Sequence, residues 1–92
     1  MNSTPTLERA WMLHPQVSVR PEPFGALLYH FGTRQLSFLK DRTLLAVVRT
    51  LEANPNAREA CTAAGVGVDE LPRFEQALAT LAKSSMVIER TT

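Results

Sequence analysis

His14, His30 and Cys61 are the side chains in this sequence best suited to proton transfer, nucleophilic attack or metal binding. No pattern recruits them. The sequence has no Gly-rich phosphate loop, no paired-cysteine metal spacing, no nucleophile elbow and no histidine-glutamate zinc motif. His14 falls near the start of a first strand and His30 on the polar side of a hairpin, so both are expected at surface or partly packed structural positions. Cys61 sits in mid-helix among Ala60, Ala63 and Ala64, away from an activating helix N-terminus, which marks it as a small buried hydrophobe. Arg42, Arg49, Arg58 and Arg73 interleave with Glu52, Glu59, Glu70 and Glu75, the pattern of solvated helix faces. Neither catalysis, nor a cofactor, nor a metal is expected.

Composition narrows the partners. The chain has 92 residues, 45% of them hydrophobic and 21% charged, as in an ordinary globular domain with one core. Ten basic and nine acidic residues give a formal charge of +1, without any block of like charge. No strong attraction to nucleic acid or to an anionic membrane follows. The start does not resemble a signal peptide, the apolar runs are too short to span a bilayer, and one cysteine cannot form an internal disulfide. A cytoplasmic protein is expected.

The elements that carry these residues follow from periodicity. Residues 1–10 are polar and include Pro5, which predicts a mobile tail, and residues 11–92 form the domain, with Trp11, Met12 and Leu13 first touching the core. Gln16 to Arg20 alternate like a half-buried strand that ends at Pro21-Glu22-Pro23. Leu27 to Phe31 and Arg34 to Leu39 flank Gly32-Thr33, which suits a two-residue type II′ hairpin. Facing Phe31 with Arg34 places Tyr29 opposite Leu36 and Leu27 opposite Phe38 on an apolar side. His30 with Gln35 and Leu28 with Ser37 then fill a mostly polar side. The apolar side is expected to meet the core.

Three helices come next. Asp41 is a predicted N-cap for a helix carrying Leu44, Leu45, Val47, Val48 and Leu51, stopped by Asn54-Pro55. Asn56 and Glu59 suggest a capping box for a short helix closed by Gly65. Asp69 is the predicted start of a third helix, with Leu71, Phe74, Leu78 and Leu81 along its core face and Pro72 in its first turn. Met86-Val87-Ile88 is a short strand or a docked terminus. The fold class is α+β: a three-stranded antiparallel meander followed by three helices, resembling a winged helix-turn-helix with the sheet first. The last meander strand, Arg34 to Leu39, has an open side unless something covers it, and an extended peptide can add there.

Two longer runs carry a family resemblance. Leu13-His14-Pro15-Gln16-Val17 with Arg20-Pro21-Glu22-Pro23-Phe24-Gly25-Ala26-Leu27-Leu28-Tyr29 is the first. Gly32-Thr33-Arg34 with Leu36-Ser37-Phe38-Leu39-Lys40 is the second, and Glu70-Leu71-Pro72-Arg73-Phe74-Glu75 extends the match over most of the chain. The sequence resembles the peptide chaperones of mycofactocin biosynthesis, which are similar to those of pyrroloquinoline quinone biosynthesis and are RiPP recognition elements. The resemblance implies that the leader of a precursor peptide binds as an added strand and is delivered to a radical S-adenosylmethionine maturase. That enzyme oxidatively decarboxylates and crosslinks the precursor's terminal Val-Tyr.

Carried onto this chain, the resemblance places the peptide on Arg34, Gln35, Leu36, Ser37, Phe38 and Leu39, beside a groove walled by the third helix. With Leu71, Phe74, Leu78 and Leu81 in the core, Arg73, Ala77 and Thr80 are the groove positions, with Gln76 beside them. Related chaperones often have Asn after the binding strand, where this chain has Lys40. The alternative from another class is a winged-helix DNA-binding protein, whose third helix would enter the major groove. Glu70, Arg73, Glu75 and Lys83 leave that helix near neutral, without the basic stripe DNA binding needs.

Overall fold

The computed structural model describes residues 6–90. Five strands and three helices follow in the order β1 (Trp11–Leu13), β2 (Val17–Glu22), β3 (Gly25–His30), β4 (Gln35–Leu39), α1 (Arg42–Thr50), α2 (Ala57–Ala63), α3 (Leu71–Lys83) and β5 (Val87–Glu89). The α+β class, the meander β2-β3-β4 and the three helices are as expected. A second sheet joins β1 to β5 in antiparallel register, with Met12 opposite Ile88, so the C-terminal apolar run is a strand.

Chain entry departs from expectation. Leu7 lies in a 3-10 turn at Thr6–Glu8 and is only 4% exposed. The indole of Trp11 donates to the Thr6 carbonyl at 2.9 Å. Arg58 pairs with Glu8, and Arg9 with Glu89. One large apolar side chain and these polar anchors dock residues 6–10, where the sequence predicts a tail. Residues 1–5 of the predicted tail lie outside the described residues.

The hairpin register is the predicted one, with Leu27 opposite Phe38, Leu28 opposite Ser37, Tyr29 opposite Leu36 and His30 opposite Gln35. Its turn differs. Phe31 to Arg34 form a four-residue loop in which Arg34, at φ 64°, takes the positive φ and its amide donates to the His30 carbonyl at 2.7 Å. Gly32 is not left-handed, so the turn is not type II′. Both loops give the same pairing because each is centred between residues 32 and 33. Arg34 therefore belongs to the turn and not to the strand.

The buried face is the reverse of the predicted one. Ala26, Leu28 and Leu39 are 0–1% exposed and His30 2%, whereas Leu36 and Phe38 are 55% and 60% exposed. The deciding partner is β2. Its register sets Val19 opposite Leu28 and Val17 opposite His30, so the inward valines select the face of Leu28 and His30 for the core. Leu27, Tyr29, Leu36 and Phe38 are then turned outward. Gly25, at φ 152°, lets β3 leave its turn against β4, since a Cβ there would run into the Leu39 carbonyl oxygen.

The core sits between this inner sheet face and the helices. Val47, Val48, Leu51, Phe74, Leu78, Leu81, Met86 and Val87 fill it. The Asp41 carboxylate accepts from the amides of Thr43 and Leu44 at 2.7 and 3.3 Å, the predicted cap of α1. Asn56 accepts from the Glu59 amide at 2.8 Å, and Gly65, at φ 89°, follows α2. The predicted start of the third helix at Asp69 falls within a 3-10 turn, Val68–Glu70, that runs directly into α3.

Candidate functional site

Open backbone is the first feature of the site. The Phe31 amide donates to the Gln16 carbonyl at 2.9 Å, so Phe31 and every second residue before it direct their backbone groups toward β2. His30, Leu28 and Ala26 then face β4, and the Arg34-to-His30 hydrogen bond agrees with this alternation. Gln35, Ser37 and Leu39 stand opposite those three and bond inward. The N–H and C=O groups of Leu36 and Phe38 are left on the outer edge of the sheet.

The opposite edge, β2, offers less. By the same alternation its outward groups belong to Val17, Val19 and Pro21. The Val17 amide is already bonded to the His14 carbonyl at 2.9 Å, and Pro21 has no N–H. Among the described residues, Val19 alone keeps a free donor there. Of the two edges, β4 is the one with consecutive outward donor and acceptor positions.

Helix α3 meets the end of this edge through its first turn, where Arg73 reaches Asp41. Its buried stripe is Leu71, Phe74, Leu78 and Leu81, as predicted. Arg73, Ala77 and Thr80 follow one another at i, i+4 and i+7 on a neighbouring stripe, with Arg73 and Thr80 exposed and Ala77 half-buried. Arg73 pairs with Glu70 at 3.0 Å and with Asp41 at 3.3 Å, and its guanidinium lies 4.7 Å over the Phe74 ring. Asp41 directly follows β4 and Lys40, so this ion pair ties the first turn of α3 to the end of the open strand. The Thr80 hydroxyl donates back to the Gln76 carbonyl at 3.0 Å and is thereby occupied.

The charges here are shifted by identifiable causes. Burial, the largest single influence on Asp41, pushes its carboxyl up. The amides of Thr43 and Leu44 together with Arg73 outweigh it and hold the group below the usual carboxylate value. Glu70 first, and Asp41 after it, hold the proton on Arg73 more firmly than usual. Among the described residues, no three acidic, histidine or cysteine side chains gather in a way that could hold a metal ion.

The six strand positions named from the sequence divide into distinct places. Arg34 is in the turn. Gln35 and Ser37 lie on the inner face of the sheet, exposed and half-buried, while Leu39 is sealed in the core. Leu36 and Phe38 supply the open backbone and project outward. His30 sits in the core against the prediction: its Nδ1 accepts from the amides of Gly32 and Thr33 at 3.0 and 3.1 Å, and its ring lies 4.3 Å from that of His14. That role builds the turn before β4. Phe31, expected in the strand opposite Arg34, stands in the turn instead, and the exposed Phe24, also in a turn, had no pairing to reveal it.

Comparison with known proteins shows the family to which the chain belongs. The model of the Peptide chaperone MftB family matches residues 10–88. A curated relative named Peptide chaperone MftB, from Mycobacterium tuberculosis, is 60% identical over 85 residues, covering 92% of this chain and 78% of the relative. Relatives of the same name from Mycobacterium ulcerans and Mycolicibacterium smegmatis are 62% identical over 81 residues and 57% over 79. They cover 88% and 86% of this chain, and 74% and 78% of their own lengths. No solved structure matches the chain. With a family match across nearly all of the described residues, and with relatives this similar, the chain belongs to the peptide chaperone MftB family.

Proposed function

We propose that this protein is a cytoplasmic, non-catalytic peptide chaperone of mycofactocin biosynthesis that binds the leader of the precursor peptide and presents it to a radical S-adenosylmethionine maturase. The leader adds as an antiparallel or parallel strand to β4 and lies in the groove toward Arg73, Ala77 and Thr80 of α3. Gln35 and Ser37 line the groove, Leu36 and Phe38 make the ladder, and Arg34 and Leu39 bound it at either end.

The observation that carries this reading is the pair of outward backbone positions at Leu36 and Phe38 on an edge that, among the described residues, no strand pairs with. A sheet edge of this kind gains its ladder hydrogen bonds from an incoming chain without rearranging the core. Membership of a family named for peptide chaperones supplies the class of partner. The formal charge of +1 supports a peptide over nucleic acid.

Calorimetry with a synthetic leader peptide of the cognate precursor tests it. The expected outcome is binding at micromolar or tighter affinity, about −8 kcal/mol or better, with no turnover by the chain alone. Absence of binding heat at high protein concentration overturns the reading.

A further inference from the structure

The sheet has a second surface that strand addition alone does not use. Phe24, Phe31, Leu36 and Phe38 are 47%, 58%, 55% and 60% exposed on the side away from the helices. Half-buried Leu27 and Tyr29 lie between them. The Phe24 and Phe38 rings stand 6.3 Å apart, Tyr29 meets Phe31 edge-on at 5.0 Å, and Lys40 joins Phe24 and Phe38 around a shallow hollow. A contiguous apolar area of this kind on so small a domain marks a surface for binding.

Strand geometry says what would cover its edge. Residues that exchange backbone hydrogen bonds across an antiparallel ladder stand directly opposite and put their side chains on the same face. Leu36 and Phe38 hold the open backbone groups of β4 and also project their side chains outward. A strand bonded to them therefore sets the side chains opposite Leu36 and Phe38 on the outer face, spaced i and i+2. The residue between them turns inward, to the side of Gln35 and Ser37. The first set lands on apolar surface, which continues across the sheet through Tyr29 and Leu27, the partners of Leu36 and Phe38.

We infer that the outer face of β4 is a specificity-determining half of the peptide site, and that Leu36 and Phe38 select apolar leader side chains at two positions spaced i and i+2. This inference rests on strand addition at β4 and deepens it: the groove toward α3 reads one parity of the leader and the outer face reads the other.

The test compares leader affinity, by calorimetry with the cognate synthetic leader, in Leu36→Thr, Phe38→Thr and Leu36→Pro. Threonine keeps the amide and the strand preference and removes the large apolar contact. Because both side chains are more than half exposed, the threonine variants fold like the parent, which their thermal melts verify. Leu36→Thr and Phe38→Thr are each expected to weaken binding roughly three- to tenfold. Arg20→Thr, on the outer face of the far strand β2, is expected to leave it within about twofold.

Parent-like affinity in both threonine variants, with binding lost in Leu36→Pro, overturns the two-faced site and leaves strand addition standing. Parent-like affinity in all three overturns both. Should Leu36→Pro fail to fold, leader peptides N-methylated at alternate amides give the same reading of strand addition.

Discussion

The amide of Phe31 donates to the carbonyl of Gln16 at 2.9 Å, and this bond defines which backbone groups of β3 face each neighbour. Through the observed register it also assigns inward and outward parity along β4. Proline substitution reads that parity directly. Leu36→Pro and Phe38→Pro remove outward donors, so both are expected to stay folded and to lose roughly 1–3 kcal/mol of leader affinity. Gln35→Pro and Ser37→Pro remove donors to β3 and are expected to lose a comparable amount of stability instead. Circular dichroism melts beside peptide titrations separate the sets, and the opposite pattern would show the parity to be reversed.

Asp41 caps α1 and also anchors Arg73. Asp41→Ala is expected to destabilise the fold by about 1 kcal/mol, measured by urea unfolding at neutral pH. Its carboxyl is held below the ordinary value in the folded state. The associated stability is therefore fully present above the unfolded pKa of about 3.9 and is lost as pH falls through the lower folded pKa. Asp41→Asn keeps a capping oxygen without the titrating group, so its acid unfolding profile should lack that part of the loss. Identical acid profiles for Asn variant and parent would remove the electrostatic role.

His30 is 2% exposed and accepts two turn amides through one nitrogen. His30→Leu keeps the bulk and removes the acceptor, which leaves the Gly32 and Thr33 amides without it. A loss of about 1–3 kcal/mol in urea unfolding is expected, together with faster hydrogen exchange at those two amides. Unchanged exchange there would show that the imidazole does not hold the turn.

Cys61 is fully buried. Burial pushes its thiol up, and the nearby Arg58 only partly offsets this. In the native protein Cys61 is expected to resist a thiol-selective reagent at neutral pH and to react promptly once urea unfolds the chain. Rapid labelling of the folded protein would contradict a purely packed role.

The meander, the three helices and the pairing of β3 with β4 were legible in the residues alone, whereas the pairing of β1 with β5 was not. The spacing of Leu71, Phe74, Leu78 and Leu81 gave the buried stripe of α3, Asp41 and Asn56 gave the helix starts, and the centred turn gave the register of β3 on β4. These are near-neighbour properties, set by the period of each element and the chemistry of its ends. Which face of the hairpin meets the core depends on a third strand and could not be read from the hairpin's own residues. Taken as a pair, β3 and β4 put more apolar surface on the side of Leu27, Tyr29, Leu36 and Phe38. Val17 and Val19 on β2 turned the sheet the other way, because a strand has one inward parity and its ladder imposes that parity on every neighbour. The same choice buried His30, left Phe38 60% exposed, and placed open backbone and outward apolar side chains on the same two residues. Leu7 shows the rule again: an isolated leucine in a polar segment has no period to reveal it, and only the core it docks against places it inside.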